Sequence, residues 1–180
     1  MNSSEHVRLM ASYNAWMNAK LYQAAAKLSG EELSRDRGAF FGSILGTLNH
    51  IVVGDTLWLK RFATHPAAYP ELQGVRDLPQ PRSLDQIMFA DFGALSRQRD
   101  LLDAAITNWA NAVTDVDLEH VLHYANSKGV VADKRCYGLV MHFFNHQTHH
   151  RGQATTLLSQ AGVDVGVTDL LMLIPNQEIA

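Results

Sequence analysis

The sequence lacks two features that would define broad classes of protein. Its 180 residues include a single cysteine, Cys136, so no disulfide can form within the chain. A chain without disulfides fits a reducing compartment, and we expect a cytoplasmic location. It also lacks a basic excess, because 15 Lys and Arg stand against 18 Asp and Glu, a formal net charge of -3. Nucleic-acid binding depends on clustered cations that neutralise phosphates, so we expect no nucleic-acid partner.

Long apolar runs are also absent from the sequence. None approaches the roughly 20 apolar residues that a helix needs to span a bilayer. The stretch MNSSEHVRLM has no apolar signal-peptide region. We therefore expect no membrane partner. With 47 % hydrophobic residues, the chain is long enough for a single domain, residues 1–180, with a sizeable core.

Prolines are few and concentrated in one place. Four of the five lie in THPAAYPELQGVRDLPQPRS, which predicts a long irregular connection over about residues 63–82. A loop of this length in a compact domain is often a functional lid. A passive crossover is the other interpretation, and we favour it.

Elsewhere, apolar residues recur three and four residues apart, which indicates amphipathic helices. Ser29-Gly30 is expected to end the first, Ser83 and Gln86 to form a capping box at the start of the third, and Gly162 to stop the fourth. The stretch DLEHVLHYANSKGVVADKRC is rich in β-branched and aromatic residues and is interrupted at 126–129, which predicts a hairpin. The expected fold is all-α, a four-helix bundle with a small β-hairpin before the last long helix. The four long helices are predicted at residues 5–28, 43–62, 83–109 and 137–160.

Four of the nine histidines fall within nine residues of the fourth predicted helix. On a wheel of about 100° per residue, His146 and His150 share the apolar stripe and lie one turn apart, so both rings can reach one point. Burial favours neutral imidazole, the form that binds a metal. His142 and His149 lie at the polar edge of this stripe, where they could support the ligands. Residue 147 is Gln, so the HExxH motif of zincin proteases is absent.

Catalytic zinc usually has three protein ligands and one open position, so a third ligand should come from another helix. His50 on the second predicted helix is the best candidate. Its side of the helix carries Gly46, Thr47 and Gly54, small residues that would let a backbone or a ligand come close. The sequence therefore favours a three-histidine site.

Two further expectations concern the same helix. Asp55 lies about 140° around from His50, so we expect a buried acceptor, for a polar side chain of the first helix, rather than a ligand.

Ile51 and Trp58 also lie away from His50. If His50 faces the interior, that apolar face is partly exposed, and a second subunit would cover it, which predicts a homodimer.

Three stretches taken together carry a family resemblance: YNAWMNAKLY, FGSILGTLNHIVVGDTLWL and HFFNHQTHHRGQATTLLSQAG. The chain resembles, over essentially its whole length, the DinB family of small helical proteins, which are unrelated to the DNA polymerase of that name. The resemblance implies a four-helix bundle, commonly dimeric, with a divalent metal that is typically nickel or zinc. The implied ligands are His50, His146 and His150.

Three functions stay open at this point. The first is a metal-dependent thiol S-transferase, as the resemblance implies from some relatives, or a hydrolase that uses water instead. It would take a low-molecular-weight thiol and a small-molecule ligand, with His149 or Gln153 orienting the nucleophile. The second is a non-catalytic metal-binding or stress-response protein, for which the DNA damage-inducible family name is the hint; His142 or His149 would supply its fourth ligand. The third is a helical interaction module whose histidines are incidental.

Overall fold

The computed structural model describes residues 1–126 and 128–176. Its long helices are α1 Ser3–Ala25, α3 Ile44–Phe62, α5 Phe92–Ala112 and α7 Cys136–Gln160. The strands β1 Val121–Ala125 and β2 Val131–Arg135 form an antiparallel hairpin before α7. This is the expected all-α bundle with a small hairpin. The short helices are α2 Gly30–Ser34, α4 Gln73–Arg76 and α6 Asp115–Glu119, and 3-10 turns cover Pro70–Leu72 and Leu170–Leu173.

The first helix is shifted relative to its predicted limits. Asn2 caps α1 through a capping box with Glu5, so the helix begins two residues early. It ends at Ala25, before the predicted stop at Ser29-Gly30. The Ser29 side chain instead accepts the backbone N–H of Glu32 and caps the short helix α2. The predicted stop signal is therefore a start signal.

The third predicted helix begins later than expected, and the capping box at Ser83 is wrong. Asp91 is the N-cap of α5, because its side chain accepts the backbone N–H of Ala94. In the segment before α5, the backbone N–H and carbonyl of Phe89 form hydrogen bonds with a side chain of α3. Asn49 donates to the carbonyl of Phe89 at 3.0 Å and accepts its N–H at 2.9 Å. These tertiary bonds hold the chain in a non-helical path.

The apolar face of α3 is buried within the chain, so the expected exposure of this face is wrong. Ile51 is 2 % and Trp58 9 % exposed. The helices α5 and α7 pack against α3, and the ring of Tyr124 from β1 lies 5.5 Å from the ring of Trp58. The argument for a homodimer from this face therefore fails, and the homodimer stays a prediction of the family resemblance.

The proline-rich connection is less irregular than its composition suggests. It contains α4 and a 3-10 turn, and Tyr69, Leu72 and Val75 are buried in the core. Lys60 at the end of α3 donates to the carbonyl of Arg76 at 2.8 Å. The segment is a crossover packed on the bundle along much of its length.

A buried polar network joins the long helices. Asp55 on α3 is fully buried and pairs with Arg99 of α5 at 2.5 Å. Gln147 of α7 donates to the same carboxylate at 2.7 Å. Asp55 is thus the buried acceptor that was expected, but its partners come from α5 and α7 and not from the first helix. The first helix joins the network through Asp103, which accepts from Asn14 and Asn18.

No helix within the described ranges combines the length and the apolar content that crossing a membrane requires. The hairpin has the predicted place, with Val121 opposite Arg135 in its register. Gly129 adopts a φ of +76° at its turn, a conformation that favours glycine. Ser127, part of the predicted interruption, lies outside the described residues.

Candidate metal centre

The fold brings together the three histidines that the sequence singles out. His50 comes from α3, and His146 and His150 come from α7. The Nε2 atom of His50 lies 3.1 Å from the Nε2 atoms of both others. The ligand atoms of the three rings all lie within 4.8 Å of one another. The predicted convergence is therefore observed, while ligation itself stays a prediction.

Two glycines of α3 permit this close approach. A Cβ added at Gly54 would lie 2.6 Å from Cε1 of His146. A Cβ added at Gly46 would overlap the backbone carbonyl of Phe41. The Phe41 ring, held close in this way, stacks on His50 at a centroid distance of 3.8 Å. The expectation that small residues flank His50 to admit close neighbours is confirmed at both glycines.

Hydrogen bonds on the far nitrogens orient two of the rings. Nδ1 of His50 donates to the backbone carbonyl of Leu84 at 2.7 Å. Nδ1 of His150 donates to Oε1 of Gln153, also at 2.7 Å. Because each partner oxygen only accepts, each Nδ1 carries the proton. In the neutral rings the lone pair is then on Nε2, the atom that faces the centre of the site.

This arrangement fits a metal ion. The Nε2 atoms of His50 and His150 lie 3.1 Å apart, and with both protons on Nδ1 neither of these atoms carries a proton. Two lone pairs this close repel each other unless both bind one cation. Two imidazoles on one tetrahedral zinc, with Zn–N about 2.0–2.1 Å, have nitrogens about 3.3 Å apart. The spacing and the donor set therefore suit a divalent ion that prefers imidazole.

Electrostatics keep the three rings in the form that binds metal. Burial, together with the positive charge that neighbouring histidines would carry, lowers the pKa of His146 to about 3. Burial also lowers the pKa of His50, although the Leu84 carbonyl opposes the shift. It lowers the pKa of His150 likewise, against the opposing bond to Gln153. At neutral pH all three rings are neutral and need lose no proton to bind a metal.

A cleft of about 480 Å³ opens on the triad. Its walls beside the histidines are largely apolar, with Phe40 and Phe41 on one side and Leu84 on the other. Phe40 is 87 % exposed and meets the Phe41 ring edge-on at 4.9 Å. Asp85 is the one carboxylate among the described lining residues. A small molecule of partly apolar character suits this cleft.

The remaining histidines of α7 lie outside the triad. His142 and His149 are both exposed, and neither belongs to a ligand cluster within residues 1–126 and 128–176. The ring of His142 packs edge-on against Trp58 at 5.0 Å. Nε2 of His149 lies 3.3 Å from the amide nitrogen of Gln153, the residue whose amide oxygen accepts from His150. His149 therefore contacts a side chain that orients one candidate ligand, as expected for a residue at the polar edge of the stripe.

Two groups that contact His50 were not predicted from the sequence. One is the carbonyl of Leu84, because a backbone acceptor carries no residue-type signal. The other is Phe41, whose loop position gives no hint that its ring stacks on His50. The GTLNH pattern does point to close packing near residue 46, and this was the available signal for a neighbour on that side.

Comparison with known proteins shows what the chain is similar to. The model of the DinB family matches residues 1–178. Protein DinB of Bacillus subtilis (strain 168) is 23 % identical over 159 residues, which cover 87 % of this chain and 87 % of that protein. No solved structure matches the chain.

Proposed function

The chain belongs to the DinB family, and we propose that it binds one divalent metal ion, zinc or nickel, through His50, His146 and His150. The observation that carries this proposal is the pair of unprotonated Nε2 atoms on His50 and His150, 3.1 Å apart, with both protons held on Nδ1 by hydrogen bonds. A cation bound by both nitrogens removes the repulsion between their lone pairs.

We further propose that the site is catalytic and acts on a small electrophilic molecule. Three protein ligands leave one coordination position for an exogenous group, whereas structural zinc sites are closed by four. Neither His142 nor His149 belongs to the ligand cluster found among the described residues, which supports an open fourth position. The open cleft beside the triad supports a site that exchanges ligands.

The reaction that suits this site is thiol S-transfer. A bound divalent ion supplies Lewis acidity, which lowers the pKa of a coordinating low-molecular-weight thiol. The thiol releases its proton to solvent water, its sulfur forms the new bond to an electrophilic carbon, and the bond from that carbon to the leaving group breaks, so that the leaving group departs with the bonding electrons. Phe40, Phe41 and Leu84 hold the apolar part of the substrate and exclude water. Hydrolysis is the variant in which water replaces the thiol.

Metal content tests the first part of the proposal. Untagged protein purified without added metal or chelator is analysed by mass spectrometry beside the His146→Ala and His142→Ala variants. The second variant is a matched control, because His142 lies on the same helix but outside the triad. We expect about one zinc or nickel ion per chain in the wild type and in His142→Ala, and a loss in His146→Ala. No metal in the wild type, or equal metal in all three proteins, would contradict the site.

Spectroscopy and turnover test the second part. In nickel- or cobalt-loaded protein, we expect an exogenous thiol to shift the absorption bands of the metal. Glutathione, mycothiol and bacillithiol are then assayed with an electrophile, with and without chelation. Product that requires both metal and thiol supports S-transfer, and product that requires metal alone supports hydrolysis. Bound metal with neither a spectral shift nor turnover would overturn the catalytic proposal and leave a non-catalytic metal-binding protein.

A further inference from the structure

A second cleft, of about 430 Å³, lies between the C-terminal half of α3, residues 80–84 and the hairpin. Leu84 lines both this cleft and the metal cleft, so the two adjoin at that residue. Three permanent cations, Lys60, Arg61 and Arg82, line the second cleft, and no Asp or Glu of the described residues does. The whole chain carries a formal net charge of -3, so this positive charge is a local feature. We call it the basic cleft.

Arg61 is a fixed, partly desolvated cation without a counter-ion. Its guanidinium lies over the ring of Trp58, 4.5 Å from the centroid, and 5.2 Å from that of Tyr124. The side chain is half-buried, and it makes no hydrogen bond or ion pair with residues 1–126 or 128–176. A desolvated charge without a partner is costly, and an anion that pairs with it would offset that cost. The aromatic stacking also reduces the entropy lost on binding.

The other basic side chains of the cleft differ in whether they already have hydrogen-bond or ion-pair partners. The exposed Arg82 side chain has no hydrogen bond or ion pair within the described parts of the chain. Lys60 donates to the carbonyl of Arg76, a neutral acceptor that leaves its charge uncompensated. His123, which also lines the cleft, is bonded to Asp133 at 2.7 Å. The two arginines are therefore the groups best placed to bind an anion directly.

We propose that the basic cleft binds the carboxylate or phosphate group of a small organic anion through Arg61 and Arg82. The planar guanidinium presents paired donors that match both kinds of group. The volume of the cleft is in the range of small-molecule sites. This inference goes beyond the proposed function and does not depend on the metal.

Calorimetric titration with inorganic phosphate and with succinate, in a buffer free of competing anions, tests the inference. We expect saturable binding of at least one of them, and the stronger one identifies the preferred group. The variants Arg61→Gln and Arg82→Gln should each weaken binding about tenfold, the effect of losing one charge-assisted hydrogen bond. Arg97→Gln is the matched control, because Arg97 is exposed on α5 and lines neither cleft.

Chelation separates this site from the metal centre. Removal of metal from the wild type should leave the affinity for the anion unchanged within about twofold, because Arg61 and Arg82 are unaffected. Affinity lost on chelation would assign the anion to the metal and overturn the inference. No saturable binding of either anion, or equal affinity in Arg82→Gln and wild type, would also overturn it. If thermal unfolding shows that Arg61→Gln is misfolded, the exposed Arg82 decides the outcome.

Discussion

At the residue scale, the orientation of two of the three histidine rings depends on hydrogen-bond acceptors on the side of each ring away from the centre of the site. The Leu84 carbonyl and the Gln153 amide oxygen each accept a hydrogen bond from Nδ1 of one histidine and so turn its Nε2 toward the site. Such supporting bonds typically contribute 10- to 100-fold to metal affinity (about 1.4 to 2.7 kcal/mol). If the site binds a metal as proposed, these two bonds are expected to strengthen that binding by holding the rings in orientation.

Gly54 offers a direct test of the packing around His146. In Gly54→Ala the added methyl would lie 2.6 Å from Cε1 of His146, so the ring must move. We expect the variant to bind zinc at least about tenfold more weakly, since ligand position controls affinity. Competition with a chromophoric chelator measures the change.

The control for that substitution is Gly152→Ala on α7. A Cβ at position 152 meets no atom within 4 Å, although the residue lies only two positions from His150. We expect unchanged zinc affinity, and a stability gain of up to about 1 kcal/mol from the better helix propensity of alanine. Equal zinc affinity in the two glycine variants and the wild type would show that the contact at Gly54 does not constrain the ring.

At the scale of the elements, neighbouring side chains of α7 make two kinds of contact with α3. His146 and His150 meet His50, and Gln147 between them donates to the buried Asp55, which also lies on α3. Burial raises the pKa of Asp55, and the Arg99 guanidinium opposes the shift. The Gln147 amide bond ties α7 to α3, and the ion pair ties the same carboxylate of α3 to α5. The first of these contacts holds α7 where His146 and His150 meet His50.

The start of α5 gives a prediction at the same scale. In Asp91→Ala the first turn loses the acceptor for the N–H of Ala94, and we expect the free energy of unfolding to fall by about 1 kcal/mol. Ser83→Ala should change it by less than about 0.5 kcal/mol, because Ser83 lies in an exposed non-helical segment. Chemical denaturation of both variants measures this. A larger loss in Ser83→Ala than in Asp91→Ala would contradict the observed boundary.

At the scale of the whole molecule, the partly buried triad makes the stability of the metal-free protein depend on pH. Histidines in the unfolded chain titrate near pH 6.5, whereas burial lowers the pKa of His146 to about 3 in the folded protein. Below pH 6.5 the unfolded state therefore binds more protons than the folded state. The stabilising contribution is complete above about pH 6.5 and declines as the pH falls toward 3.

Urea denaturation with excess chelator, at about pH 7.5 and 5.5, measures this dependence. We expect the free energy of unfolding to be lower at the acidic value, and the decrease to be smaller in His146→Ala. Comparison of the two proteins cancels the titration of groups that both retain, such as Asp55 and Asp103. An equal decrease in both proteins would show that His146 is not the group responsible.

The fold class and the pairing of His146 with His150 were predictable from the sequence because both depend on local periodicity. His50 was predicted on other grounds, the need for a third ligand and the family resemblance. Apolar residues three and four apart determine the faces of the helices, and an i, i+4 pair of histidines must share a face whatever surrounds it. Glycines beside His50 indicated close approach, and the structure shows which neighbours use the space. These inferences need only the geometry of one helix at a time.

What the sequence could not determine are the relations between elements. The true start of α5, the partners of Asp55, the burial of Ile51 and Trp58 and the carbonyl that orients His50 all depend on which helix lies beside which. At Ser29 the local signal was real but marked the start of α2 instead of the end of α1. At Ser83 the predicted capping box was wrong, because tertiary hydrogen bonds from Asn49 hold the following segment in a non-helical path. Periodicity by itself decided which side chains share a face. Only the packed structure decided what each face meets, because contacts between distant segments have no local pattern.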